Sequence, residues 1–234
     1  MKENYVSVPV ADGTTLDAYT SIPKQGEGPF PGLLLFQEAF GVNHHIRSIA
    51  DRLAAQGYIV AAPDLFHRSG AGFEGSYLDF PAVRPHIDAM TPEGLEADVH
   101  AAFTWLQNQP NVVKDKIGAV GFCMGGRVSI LANIILPISA AVSYYAGNSA
   151  SILNRVPSIH GPQLMFWGGL DKHILPEHIA SLVKAFRDNG KPYINVEISY
   201  ADHGFNCDER ASYQPKAARE AWLMTLTFLE NNLK

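Results

Sequence analysis

Cysteine 123 lies within Gly121-Phe122-Cys123-Met124-Gly125-Gly126, where glycines bracket a potential nucleophile. Such glycines let a chain turn sharply from a strand into a helix, and the helix beyond would aim free N–H groups and its positive dipole end at the sulfur. Those groups favour a thiolate and can hold an oxyanion, with the N–H of Met124, just after the nucleophile, as the first donor. A buried cysteine packed beside small residues fits the same hexapeptide, so the motif alone leaves the two readings even.

Two more residue types complete a possible covalent mechanism. Asp171 ends "PQLMFWGGLD", where a carboxylate could orient an imidazole, although an Asp after Gly-Gly is also an ordinary turn residue. His203, in "YADHGFN", follows another apolar run and is the candidate base. Nucleophile, acid, then histidine is a chain order that serves acyl transfer, and each member follows a strand-like segment. Glu38, at the end of "GLLLFQE", is a fourth polar group at a strand end. His173 and His178 flank the acid but match no ligand pattern, so no metal is expected.

The elements that must position these groups follow from hydrophobic periodicity. Tyr5 to Val10 and Thr14 to Ile22 alternate around "ADG" and read as an antiparallel hairpin. "GLLLFQE" and "YIVAAPD" are continuous apolar runs, as expected of strands covered on both faces. Between them His44 to Gln56 carries a helical stripe of Ile46, Ile49, Ala50 and Leu53 that stops at Gly57. Residues 65 to 91 lack periodicity and read as a lid or pocket wall. Helical spacing resumes after Thr91, with Pro92 at the first helical position.

"KIGAVGF" then leads as a strand into Cys123, and "MGGRVSILANIIL" follows as a helix. "ISAAVSYYAG", "PQLMFWGGLD" and "YINVEISY" add strands, with helices near Pro176 to Asp188 and Ala211 to Asn232. This alternation predicts one α/β domain over 1–234, a mostly parallel sheet with helices on both faces.

Composition excludes several other classes. With 47% hydrophobic and 18% charged residues, the chain has enough apolar material for a sizeable core, and its net charge of -5 offers no basic footprint for nucleic acid. The stretch between Arg127 and Arg155 has the length of a membrane span, but Asn133 and Pro137 interrupt it, so it reads as a buried helix and a core strand. The N-terminus lacks the apolar core of a signal peptide. Two cysteines make no disulfide scaffold, which fits a reducing cytoplasm and leaves small molecules as the expected partners.

In order along the chain, "LLLFQEAFGVNHHIRSIADRLAAQGYIVAAPDLFHR", "VGFCMGGR", "GGLDKHILP" and "ADHGF" resemble segments of the dienelactone hydrolase family, and the similarity covers most of the chain. The resemblance implies an α/β-hydrolase fold with Cys123 as nucleophile, His203 as base and Asp171 as its orienter. It also implies a contact of Glu38 with the resting thiol, a second oxyanion donor at the Ala39 N–H, and pocket roles for Tyr144, Tyr145 and Phe40. An arginine that follows the histidine by four residues in the family is Cys207 here, and a second family arginine has no clear counterpart. Arg68, Arg84 and Arg210 are candidates to replace them, with Arg84 placed in the substrate pocket.

The expected activity is hydrolysis of a lactone or ester through an acyl-thioester, without metal or organic cofactor. A broader carboxylesterase, and a non-catalytic or redox-sensing protein on the same scaffold, are the alternatives.

Overall fold

A computed structural model describes residues 4–234. Two compact units divide the chain, Met1–Ile117 and Gly118–Lys234.

In the first unit, β1 (Tyr5–Pro9) and β2 (Thr15–Ser21) form the antiparallel hairpin read from the sequence, and Gly13 takes a φ of 86° in its turn. β2 then pairs antiparallel with β4 (Ile59–Pro63), which lies parallel to β3 (Phe30–Phe36). Between β3 and β4 runs α1 (His44–Ala54), capped by the Asn43 side chain and burying Ile46, Ile49, Ala50 and Leu53. Truncating one of these large residues to alanine costs about 2–5 kcal/mol. Thr91 caps α4 (Pro92–Gln107), as its sequence signature requires.

The segment 65–91 is more ordered than its sequence suggests. Two short helices interrupt it, α2 (His67–Gly70) and α3 (Phe80–Asp88), the second capped by Asp79 with prolines at positions 81 and 85. Prolines and a nine-residue length hide the helical period. Val83, with Phe73, Tyr77 and Ile87, packs on Ala39 and Phe40, residues of the loop that follows β3.

A partly buried polar network anchors α2. His67 Nε2 lies 3.0 Å from Asp98 on α4, and Arg68 bridges Asp98 and Asp12. Asp98 is 1% exposed.

β5 (Val112–Phe122) leads into the second unit, where β6 (Ala140–Tyr144), β7 (Gln163–Gly168) and β8 (Tyr193–Ile198) succeed it in parallel register. Helices α5 (Met124–Ile135), α6 (Pro176–Asp188) and α7 (Pro215–Leu233) connect and follow them, with a 3₁₀ segment at Ser149–Ser158. The chain therefore has an α/β fold of eight strands among the described residues, mostly parallel, with an antiparallel start. α7 starts at Pro215, four residues later than the periodicity implies, because Pro at the first helical turn sets the boundary.

The uncharged stretch after Arg127 resolves into α5 and β6, and no helix among the described residues is long and apolar enough to cross a membrane. Asn133, one of the residues that interrupts its apolar run, is buried in α5 for a structural purpose. Its side chain donates to the Gly161 carbonyl at 2.9 Å and accepts from the Gly161 N–H at 2.8 Å, fixing the lead into β7.

Candidate active site

β5 ends at Phe122, and Cys123 turns the chain into α5 with φ 54° and ψ −114°. A non-glycine residue rarely occupies that region, so the surrounding structure must hold it there. The Cys123 N–H donates to the Tyr144 carbonyl at 3.0 Å, and the Cys123 carbonyl accepts from Gly126. A Cβ at Gly121 would collide with the Gly125 carbonyl oxygen, and one at Gly126 would sit 2.5 Å from that of Tyr144. The glycines are thus required by close backbone approach, and the strained turn projects the sulfur at the head of α5. Helix geometry leaves the Met124 and Gly125 N–H groups without intrahelical acceptors beside that sulfur.

The acid arrives on the loop after β7. Asp171 Oδ1 accepts from the backbone N–H groups of His173 and Ile174, at 2.7 and 3.1 Å, which aims Oδ2 at His203. The Gly-Gly pair before Asp171 is more than a turn signal. A Cβ at Gly168 would lie 2.6 Å from the Ala201 carbonyl, and Leu170 donates to that carbonyl at 2.9 Å, so the acid loop runs directly against the histidine loop.

His203 follows β8 on that second loop. Its Nδ1 lies 2.7 Å from Asp171 Oδ2, and its Nε2 lies 3.1 Å from Cys123 Sγ. The structure therefore brings Cys123, His203 and Asp171 into one continuous relay. Both side chains of the ion pair are withdrawn from solvent, at 10% exposure for His203 and 2% for Asp171.

Burial works against the His203 imidazolium, but the Cys123 charge and the bonds to Asp171 and Cys123 outweigh it and push the imidazole up to about 10. Burial likewise acts to raise Asp171, and its bond to His203 with the two backbone donors overcomes this and holds it below the usual carboxylate range. The arrangement suits a thiolate–imidazolium pair steadied by a carboxylate.

The chain matches known proteins along nearly its whole length. The model of the dienelactone hydrolase family matches residues 16–233. The chain belongs to the dienelactone hydrolase family. Among members of that family, the carboxymethylenebutenolidase of Pseudomonas putida is 31% identical, with 96% of this chain and 94% of that protein covered. The "Putative carboxymethylenebutenolidase" of Escherichia coli O157:H7 is 33% identical over 97% of this chain and 86% of its own length. The crystal structure of the "Putative Dienelactone Hydrolase" of Klebsiella pneumoniae subsp. pneumoniae MGH 78578 superposes with a TM-score of 0.88 at 28% identity, covering 97% of both chains. This dienelactone hydrolase family member is accordingly a carboxylic ester hydrolase.

The remaining sequence candidates have distinct placements. Tyr145 has φ 38°, and its ring packs 5.0 Å from that of His203, so it walls the relay. Tyr144 instead is fully buried between Phe122 and Phe166, and its hydroxyl is bonded to Thr225. That makes it a core residue. In the first unit, Glu38 is buried after β3 and accepts from the Tyr77 hydroxyl at 3.1 Å, while Phe40 packs on the Tyr77 ring at 4.6 Å. Ala39 lies buried between them. Arg84 is exposed and paired with Asp88 on α3, and Arg68 is committed to Asp98 and Asp12. Arg210 lays its guanidinium against Gly204, beside His203.

Arg127 escaped the sequence reading. It is the single Asp, Glu, Lys or Arg between Lys116 and Arg155, and it stands four residues after Cys123. Its Nε is buried without a hydrogen-bond acceptor among the described residues.

Proposed function

We propose that the protein hydrolyses a small ester or lactone with Cys123 as nucleophile. The Cys123–His203–Asp171 relay is the observation that carries this reading. In the reactive pair, the sulfur has given its proton to His203 Nε2, 3.1 Å away. The thiolate attacks the carbonyl carbon, a C–S bond forms, and the π electrons move to oxygen. The Met124 N–H at the head of α5 stabilises that oxyanion. As the adduct collapses, the C–O bond to the leaving group breaks and His203 gives it a proton.

An acyl-thioester and a neutral imidazole remain. With the thiolate charge gone, His203 loses its principal source of elevation and becomes a base. It takes a proton from water as the oxygen attacks the thioester. Collapse of the second adduct releases the acid and restores thiolate and imidazolium. Roles for Glu38 as thiol partner and Ala39 as second oxyanion donor rest on the family resemblance alone.

A thiolate is a far better leaving group than an amine. Attack on an amide therefore reverts unless the amine is protonated in time, whereas activated esters and enol lactones go forward. Selectivity within that class is expected to be broader than for a carboxylate-clamping enzyme. Cys207 occupies the position of the family arginine, and both Arg68 and Arg84 are engaged in pairs of their own. Turnover of a dienelactone and a set of neutral aryl esters by the protein and by Cys123→Ala tests the proposal. Loss of all activity in the variant is expected, and turnover that survives it refutes the mechanism.

A further inference from the structure

Tyr145 holds a backbone conformation that a large side chain avoids. Its φ of 38° lies in the left-handed region, where a bulky aromatic residue is an outlier. Among the described residues of the second unit, Cys123 and Asn148 are the other non-glycine residues with positive φ, and asparagine tolerates that region well. The nucleophile and Tyr145 are therefore the two strained positions of this unit. Such strain persists where the surrounding structure over-determines it, and it gathers at functional sites.

The hydrogen bonds on either side show what fixes the strained residue. The Tyr144 carbonyl accepts the Cys123 N–H at 3.0 Å, and the Tyr145 N–H donates to the Phe166 carbonyl at 2.7 Å. The end of β6 is thus tied to the nucleophile turn by one residue and to β7 by the next. The Tyr145 ring then packs 6.3 Å from that of Phe122, the residue before the nucleophile, and 5.0 Å from that of His203. It also meets Phe205, two residues beyond the base, edge-on at 5.3 Å. A single buried ring therefore touches both the strand end that carries the sulfur and the loop that carries the imidazole.

His203 needs such a support. Its bond to Asp171 fixes one edge of the imidazole, but a bond at one edge does little against tilting of the ring about that edge. A neighbour packed against the ring resists the tilt. His173 lies beside the same ring at 5.5 Å but is exposed, so the fully buried Tyr145 is the firmer of the two.

We propose that Tyr145 is a positioning residue whose strained backbone seats its ring against His203 and so keeps Nε2 within reach of the Cys123 sulfur. The proposal deepens, and rests on, the reading of Cys123 as nucleophile. Being fully buried, Tyr145 acts through His203 and not by touching substrate.

The test uses the full-length protein with Tyr145→Phe, Tyr145→Leu and Tyr145→Gly. Phenylalanine keeps the ring. Leucine removes it but keeps apolar bulk, whereas glycine removes it and relieves the backbone, so the two ringless variants have opposite structural liabilities. Circular dichroism establishes folding, and kcat and KM are measured with a small and a bulky neutral aryl ester. In the ringless variants kcat falls about tenfold or more for both esters while KM moves little, as expected when a reacting group is misplaced. The phenylalanine variant retains most of kcat. NMR should also show the His203 titration midpoint falling in the ringless variants, as Nε2 parts from the sulfur. In the unsubstituted protein, nuclear Overhauser contacts between the Tyr145 and His203 rings are expected.

Absence of those contacts overturns the proposal without any variant. So does unchanged kcat in a folded ringless variant, or a phenylalanine variant as slow as the ringless pair, which would place the effect in the hydroxyl. A rise in KM confined to the bulky ester also overturns it, because Tyr145 would then be a substrate contact. Failure of the nucleophile reading would instead appear as activity in Cys123→Ala.

Discussion

His203 Nε2 lies 3.1 Å from Cys123 Sγ, so the imidazole can receive and return the thiol proton without moving its ring. The ring is held from its other side by Asp171, at 2.7 Å from Nδ1. Because the Cys123 charge is the leading contribution that raises His203, this pair should behave as one titrating unit in the resting protein. NMR titration of the His203 ring should show imidazolium persisting well above neutrality. In Cys123→Ala the midpoint should fall, and an unchanged midpoint would dissociate the two groups.

The same elevation makes a stability prediction. The folded value of His203, about 10, lies above its ordinary value of 6.5. Its protonation therefore stabilises the fold in full below about pH 6.5, and the contribution fades as pH rises toward about 10. Urea denaturation of the protein and of His203→Gln at pH 6 and pH 10.5 checks the sign. The unsubstituted chain should lose its advantage at the higher pH.

Replacing Asp171 by Asn keeps the shape but removes the charge and lets the histidine adopt the wrong tautomer. Loss of kcat by about a thousandfold or more is expected, with a much smaller change in KM. Steady-state kinetics on an aryl ester measures this, and a loss below tenfold would remove Asp171 from the relay.

Gly126→Ala should damage the turn even though the residue never touches substrate. The added Cβ meets the Tyr144 carbonyl at 2.5 Å, a backbone atom that cannot swing aside. Destabilisation of about 3 kcal/mol is expected, together with loss of activity. Urea unfolding and ester turnover measured together read both effects.

Asp98→Ala leaves the buried His67 imidazole and the Arg68 guanidinium without their shared partner. The expected cost is about 1–3 kcal/mol, since the buried His67 nitrogen loses its hydrogen-bond partner while Arg68 keeps Asp12. Thermal unfolding should show a marked fall in Tm.

Particular residues show why some features could be read from the chain and others could not. The hairpin, the α1 stripe and the strand leading into Cys123 are local patterns of period, and they survive folding almost unchanged. Helix α3 is obscured because its prolines break the period within nine residues. The role of Gly168, admitting the Ala201 carbonyl, leaves no local mark in the sequence because it depends on a loop more than thirty positions away. Tyr144 and Tyr145 are adjacent and chemically identical, yet the turn at the end of β6 sends one into the core and the other against His203.

The central claim is that Cys123 becomes acylated. Rapid acid quench during turnover of an activated aryl ester, followed by peptide mass analysis, tests it most directly. The account predicts one acyl group on the peptide containing Cys123, formed in a burst and absent from Cys123→Ala. Undiminished turnover in Cys123→Ala, with no acyl group on that peptide in the unsubstituted protein, would contradict it.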